Sequence, residues 1–114
     1  MTNTGLGWPG DALLAAPAAE SVRLCDKTGR QYRLNDATTR IGRFTNNDIV
    51  LDDTDVSRHH AVITDTGIGY VITDLRSTNG VEVQGRRIRG SVTLDEGDRI
   101  RIGGQEFTVE ILSG

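Results

Sequence analysis

Cysteine, proline and the aromatic residues are scarce in this chain of 114 residues. It has one cysteine, two prolines, two phenylalanines, two tyrosines and one tryptophan. A single cysteine excludes a disulfide framework and a multi-cysteine metal site, and it favours a reducing compartment, so a cytoplasmic protein is expected. Apolar runs extend over only a few residues, which excludes a transmembrane helix. With so few aromatic rings, the core is expected to consist mainly of aliphatic side chains.

Basic residues other than arginine are almost missing as well. Sixteen acidic and 13 basic residues give a net charge of −3, and Lys27 is the only lysine. The chain therefore lacks the strongly basic face of proteins that bind nucleic acids by bulk electrostatics, and no nucleic-acid partner is expected. Arginine, however, captures phosphate or carboxylate with two parallel hydrogen bonds. The positions of the arginines therefore matter more than their number.

The first twenty residues differ in composition from the rest. Five of the seven alanines precede residue 20, whereas valine, isoleucine and threonine together supply 31 of the 114 residues. We expect residues 1–20 to form a flexible tail and residues 21–112 to form one all-β domain. Turn residues recur every 8 to 12 positions, which is typical of a sandwich or a barrel. Strands are predicted at residues 21–25, 31–34, 38–41, 49–51, 60–64, 70–74, 81–83, 86–88, 99–102 and 107–111.

Three predicted loops hold most of the unusual polar residues, and each contains an arginine. They are the first loop, residues 42–48, the second loop, residues 52–60, and the third loop, residues 74–80. Because strand direction alternates along a meander, loops separated by a pair of strands emerge at the same end of a sandwich. The residues expected to meet at one rim are Arg43, Ser57, Arg58, Thr78 and Asn79. Such a cluster of donors suits a compact dianion better than an extended polyanion.

A phosphate monoester fits this donor set. It carries about −1.5 to −2 charges at pH 7 and offers three acceptor oxygens. Arginine supplies a fork of donors, hydroxyl groups fill the remaining lone pairs, and asparagine both donates to and accepts from a peptide bond. Two or three charge-assisted hydrogen bonds of about 1.5–3 kcal/mol each are enough to make binding depend on phosphorylation.

The order of these residues resembles the signature of the forkhead-associated (FHA) domain, a reader of phosphothreonine. The signature elements are Gly42-Arg43, Ser57 followed by His60, and Asn79-Gly80. The resemblance covers about residues 21–112 and is most specific for the C-terminal FHA domain of actinobacterial EmbR-type regulators. It implies a two-sheet antiparallel β-sandwich with ligand loops at one edge. The DNA-binding region of those regulators is not present in this chain, so DNA binding is not implied.

The resemblance also implies a role for each residue of the signature. Arg43 clamps the phosphate, Ser57 donates its hydroxyl to a phosphate oxygen, and Arg58 contacts the phosphate or the peptide near it. Thr78 lines the phosphothreonine pocket, and Asn79 bonds the peptide backbone just after the phosphoresidue. Structural support of the site is expected from Gly42, His60 and Gly80.

The expected partners are proteins that contain phosphothreonine, either serine/threonine protein kinases or their substrates. We expect a non-enzymatic adaptor without a cofactor and without a membrane partner. Phosphorylated Thr2 or Thr4 in the tail is a further hypothesis, in which the tail occupies the pocket of its own domain.

The sequence leaves three other interpretations to weigh. Ser57, His60 and Asp74 are the residue types of a nucleophilic triad, but the chain has no nucleophile elbow and no glycine loop for an oxyanion. A phosphate-independent partner could instead bind a sheet face carrying Arg87, Arg89, Arg99 and Arg101. The acidic residues 52–55 lack the ligand spacing and the glycine of a calcium loop. No catalytic and no metal-binding residue is therefore assigned.

Overall fold

Eleven strands make up the regular structure of residues 20–113, the part of the chain described by a computed structural model. They are β1 (Glu20–Asp26), β2 (Gln31–Arg33), β3 (Thr38–Gly42), β4 (Ile49–Val50), β5 (Ala61–Asp65), β6 (Tyr70–Asp74), β7 (Val81–Val83), β8 (Arg86–Arg87), β9 (Ser91–Leu94), β10 (Arg99–Ile102) and β11 (Gln105–Ser113). The predicted tail lies outside the described residues except for Glu20, which begins β1. Within residues 20–113, no helix has the length and apolar character needed to cross a bilayer.

The strands form two sheets, which confirms the predicted all-β sandwich. The first has the order β9-β6-β5-β3-β4 and the second the order β2-β1-β11-β10-β7-β8. One ladder departs from the antiparallel arrangement, because β4 pairs with β3 in parallel, with Ile49 opposite Ile41. Asp48 starts this pairing: its N–H donates to the Arg40 carbonyl at 2.9 Å, and its carboxylate accepts from the Arg40 N–H at 2.8 Å. The first loop therefore turns back on itself before β4.

The core lies between the sheets and is almost entirely aliphatic, as predicted. Strand alternation places every second side chain inward, as in β10, where Ile100 and Ile102 are buried and the two arginines are exposed. Among the described phenylalanine and tyrosine rings, Phe107 alone is fully buried, and Tyr32 packs edge-on against it at a centroid distance of 5.9 Å. The other fully buried hydrophobic side chains are Leu24, Ile41, Val56, Ala61, Ile63, Ile72, Val81, Val109 and the two isoleucines of β10.

Strand β9 was not among the predicted strands. It pairs with β6 and completes the edge of the first sheet, with Ser91 opposite Thr73 and Leu94 opposite Tyr70. Leu94 is buried and Val92 is half-buried against the core, so the strand does alternate, but over only four residues, which is a weak signal in the sequence. The short β7–β8 hairpin was predicted and is present. Gln84 and Gly85 form its turn with φ angles of 55° and 79°, as a two-residue turn of type I′ requires.

Candidate functional site

Backbone hydrogen bonds join the first, second and third loops at one end of the sandwich. The Arg43 N–H donates to the Ser57 carbonyl at 3.0 Å, and the Phe44 N–H donates to the Arg58 carbonyl at 3.3 Å. From the third loop, the Leu75 N–H donates to the carbonyl of His60 in the second loop at 2.9 Å. The second loop therefore lies between the other two and is bonded to both.

A cavity of about 500 Å³ opens between the three loops. It is lined by Arg43, Phe44, Thr54, Asp55, Val56, Ser57, Arg58, His59, Arg76, Thr78 and Asn79. All five residues predicted to bind a phosphopeptide are in this lining. The three residues predicted to support the site lie behind it, in contact with the lining residues or their backbone.

The ring of Phe44 contacts the two arginines of the first and second loops. The guanidinium carbons of Arg43 and Arg58 lie 5.8 and 5.6 Å from the centroid of its ring, within the range of cation–π attraction. The Arg43 Nε–H donates to the Val56 carbonyl at 3.1 Å, which leaves its terminal amino groups for a ligand. Neither arginine forms an ion pair with a residue of the described part. The cavity therefore contains two neighbouring guanidinium groups that no carboxylate of residues 20–113 pairs directly.

Two other polar side chains of the cavity lining form hydrogen bonds within the protein but keep some of their donors and acceptors free. Ser57 Oγ accepts from the Thr78 backbone N–H at 3.0 Å, so its hydroxyl hydrogen points away from that bond and is left to donate. The Asn79 Nδ2 donates to the Asp55 carbonyl at 2.8 Å. This bond uses one of two amide hydrogens and leaves the amide oxygen, so Asn79 retains both a donor and an acceptor.

His60 bonds the second loop to the third loop from within the protein. It is fully buried; its Nδ1 lies 2.9 Å from the Ser57 backbone nitrogen and its Nε2 lies 2.8 Å from the Gly80 carbonyl oxygen. Because a backbone N–H only donates, Nδ1 must accept, and the ring hydrogen therefore resides on Nε2 and donates to Gly80. The neutral ring thus holds the backbone on both sides of the cavity.

Two glycines permit the close approach of neighbouring groups. A Cβ atom on Gly42 would lie 2.3 Å from the Arg58 carbonyl oxygen and 2.8 Å from Asn47 Nδ2. A Cβ atom on Gly80, where φ is +82°, would lie 2.3 Å from Arg87 Nε. Asn47 is buried and donates to the carbonyls of Phe44 and Arg58, both at 2.8 Å. Its amide therefore fixes the first loop against the second.

Asp53 anchors the second loop to the other sheet. Its carboxylate accepts from the Asp55 N–H at 2.8 Å and from the Gly104 N–H, in the β10–β11 turn, at 3.0 Å. These two backbone bonds, that of Asp55 first, hold the pKa of Asp53 below its ordinary value. Sequence reasoning gave no specific role to Asp53 or to Phe44. An aspartate carboxylate that accepts from the backbone N–H two residues later forms an Asx-turn, which aspartate commonly does in loops. Nothing in the sequence identifies Gly104 as the second donor to Asp53.

Within the described part of the chain, the structure does not form the catalytic triad, the uniformly basic sheet face or the metal site that the alternative interpretations require. Both ring nitrogens of His60 bond backbone groups, and Asp74 Oδ1 accepts from the Ser77 N–H at 3.0 Å, so no relay to Ser57 Oγ is formed. On the outer face of the second sheet, Glu82 stands opposite both Arg101 and Arg87, so positive and negative charges alternate there. Across residues 20–113, no three acidic, histidine or cysteine side chains are grouped as metal ligands.

Comparison with known proteins places this site in a family. The sequence profile of the FHA domain matches residues 39–103. The transcriptional regulatory protein EmbR of Mycobacterium tuberculosis is 63% identical over 87 residues, which are 76% of this chain and 22% of that protein. A solved structure of the same EmbR, in complex with a low-affinity phosphopeptide, matches with a TM-score of 0.80 and 60% identity over 82% of this chain and 25% of that chain. This chain thus spans no more than a quarter of the length of EmbR.

A shorter relative shares more of its length with the chain. The glycogen accumulation regulator GarA of Mycolicibacterium smegmatis is 34% identical over 104 residues, which are 91% of this chain and 64% of that protein. The match to the FHA-domain profile includes all three loops and covers more than half of the chain.

Proposed function

Since the chain belongs to the FHA-domain family, we propose that it is a phosphothreonine-dependent protein interaction module that acts without catalysis in the cytoplasm. The observation that carries this proposal is the convergence of Arg43, Ser57 and Arg58 with the third loop on one cavity. None of the three arginines that line it has an ion-pair partner among residues 20–113. An anion is the ligand that such a cavity stabilises best.

We assign the phosphate to Arg43, Ser57 and Arg58. The terminal amino groups of Arg43 and the hydroxyl hydrogen of Ser57 are the donors that their intramolecular bonds leave available. Thr78 and Asn79 line the same cavity, where Asn79 bonds the peptide backbone with its remaining amide hydrogen and its oxygen. The supporting residues are Gly42, His60 and Gly80, which hold the loops at the distances that the donors require.

The proposed partners are phosphothreonine-containing segments of serine/threonine protein kinases or of their substrates. A short, exposed peptide fits this role, because the cavity is formed by loops at one edge and is open to solvent. The EmbR structure with a bound phosphopeptide supports the same ligand class. We propose an adaptor role, in which the domain brings a phosphorylated protein to a further component.

Alanine substitutions at the two central donors test this assignment. Arg43→Ala and Ser57→Ala should each weaken the binding of a phosphothreonine peptide by about 1.5–3 kcal/mol, roughly 10- to 150-fold, in a calorimetric titration. Both side chains are at the cavity surface, so the midpoint of thermal unfolding should stay close to that of the wild type. Arg89→Ala removes an exposed arginine outside the cavity and serves as the charge control. Unchanged affinity in both cavity variants would contradict the assignment of the phosphate to Arg43 and Ser57.

A further inference from the structure

Arg76 has a backbone conformation that its residue type disfavours. Its φ angle is 58°, in the left-handed region where glycine and asparagine are preferred. The turn around it is held by its neighbours: Asp74 accepts from the Ser77 N–H at 3.0 Å, and Ser77 Oγ accepts from the Gly80 N–H at 2.9 Å. The Arg76 side chain makes no contribution to these bonds. A strained arginine in a turn that does not need its side chain points to a role for that side chain.

The position of Arg76 indicates what that role is. Its side chain is exposed, lines the same cavity as Arg43 and Arg58, and forms no ion pair with any residue between 20 and 113. Phe44 holds the other two arginines together, whereas Arg76 reaches the cavity from the third loop. A third guanidinium at a separate point of the rim is suited to a second anionic group of the ligand.

We propose that Arg76 binds an acidic side chain of the ligand that flanks the phosphothreonine, and so selects phosphothreonine segments with a nearby aspartate or glutamate. This inference rests on the proposed function. The inference extends that function by assigning the phosphate to Arg43 and Arg58 and the flanking carboxylate to Arg76. Guanidinium and carboxylate match as a planar, two-bonded pair.

The test uses an alanine-based phosphothreonine peptide in which one aspartate is placed in turn at each flanking position. The wild-type chain should bind one of these peptides about fivefold more tightly than the all-alanine peptide, as expected for an exposed ion pair. Arg76→Gly should lose this preference, keep its affinity for the all-alanine phosphopeptide, and unfold at a temperature no lower than the wild type, because glycine relieves the strain at φ 58°. Arg89→Gln, with its arginine outside the cavity, should retain the preference.

The outcomes separate this inference from the function beneath it. If the wild-type chain binds no phosphothreonine peptide, the proposed function fails. If it binds them all but prefers none with aspartate, or if Arg76→Gly keeps the preference, the role of Arg76 is wrong while the function stands. An equal loss by Arg76→Gly for every phosphopeptide would place Arg76 on the phosphate instead and would overturn this inference as well.

Discussion

Gly42 lies at a close approach of the first loop to the second. Because a Cβ atom there would overlap the Arg58 carbonyl oxygen at 2.3 Å, Gly42→Ala should force the loops apart. We expect a loss of about 1–3 kcal/mol in the free energy of unfolding and a weaker affinity for phosphothreonine peptide, measured by urea denaturation and calorimetry. Gly69→Ala is the matched control, since Gly69 has open space around its Cβ position. An equal effect of the two substitutions would contradict the contact.

Phe44 contacts two of the cavity arginines through its ring. Leucine in its place would keep an apolar side chain but remove the attraction of the ring for both guanidinium groups. Phe44→Leu should therefore weaken phosphothreonine-peptide binding about fivefold without a change in thermal stability, and Phe44→Tyr should retain the wild-type affinity. Wild-type affinity in Phe44→Leu would show that the arginines do not need the ring.

The sequence identifies some of these residues better than others. Arg43, Ser57 and Asn79 belong to residue types whose donors fit a phosphopeptide, and all three line the cavity. Phe44 is an apolar residue in a polar loop, and nothing in the sequence indicates that Arg58, fourteen positions later, shares its ring. Contacts between side chains of different loops depend on loop conformation, which a local pattern does not determine.

At the scale of whole loops, His60 is the link between the second and third. Its removal would leave the Ser57 N–H and the Gly80 carbonyl without partners in the interior. His60→Ala should therefore lower the free energy of unfolding by about 2–4 kcal/mol, measured by urea denaturation. The adjacent His59 is exposed, and His59→Ala should cost much less. A larger loss at His59 than at His60 would contradict the buried link.

Asp53 makes the second loop sensitive to acid. Its pKa is lowered in the folded protein, chiefly by the Asp55 N–H and then by the Gly104 N–H. A lowered pKa means that the carboxylate stabilises the fold above the ordinary pKa of aspartate, and that this contribution is lost as the pH falls through the folded pKa. Amide exchange at Gly104 should thus become faster at acidic pH than the intrinsic rate explains, and Asp53→Asn should remove this change. If Asp53→Asn showed the same acceleration of exchange at acidic pH, the Asp53 carboxylate would not be the group that protects the Gly104 N–H.

The strands could be predicted wherever one face is buried. β10 alternates arginine with buried isoleucine, and the sequence shows it directly. β9 was missed although Ser-Val-Thr-Leu alternates polar and apolar residues, because a run of four is at the short limit of a recognisable strand, and its pairing with β6 comes from the rest of the sheet. The parallel pairing of β3 with β4 depends on the bonds of Asp48 to the Arg40 backbone, which connect residues across a loop. Short edge strands are thus determined by tertiary contacts more than by their own residues.

The three loops of the candidate site lie at one end of the molecule, and the start of β1 and the end of β11 lie at the other end. β11 begins beside the turn that bonds Asp53 and ends at Ser113, which pairs with Glu20 about 27 Å away along the strand. The hairpin between β5 and β6 lies at this far end, where Ile68 is fully exposed and shares a cavity with Ser21. Any segment before residue 20 therefore joins the domain away from the candidate site.

Site-specific labelling tests this arrangement. In a Cys25→Ser background, a bulky maleimide on Thr54→Cys should block phosphothreonine-peptide binding, because Thr54 lines the cavity. The same label on Ile68→Cys should leave the dissociation constant within about twofold of the unlabelled protein, since a surface position far from the site changes little. Fluorescence anisotropy with a labelled peptide measures both. Block by the Ile68 label, or none by the Thr54 label, would place the site elsewhere.

The net charge of −3 describes the whole molecule, whereas binding depends on where the arginines lie. The one measurement that tests the central claim most directly is a calorimetric titration of the wild-type chain with a single peptide in three forms: phosphothreonine, phosphoserine and unphosphorylated threonine. We predict binding of the phosphothreonine form, binding of the phosphoserine form weaker by about tenfold or more for the missing methyl group, and no measurable binding without phosphate. Equal affinity for the phosphorylated and unphosphorylated threonine peptides would contradict the account.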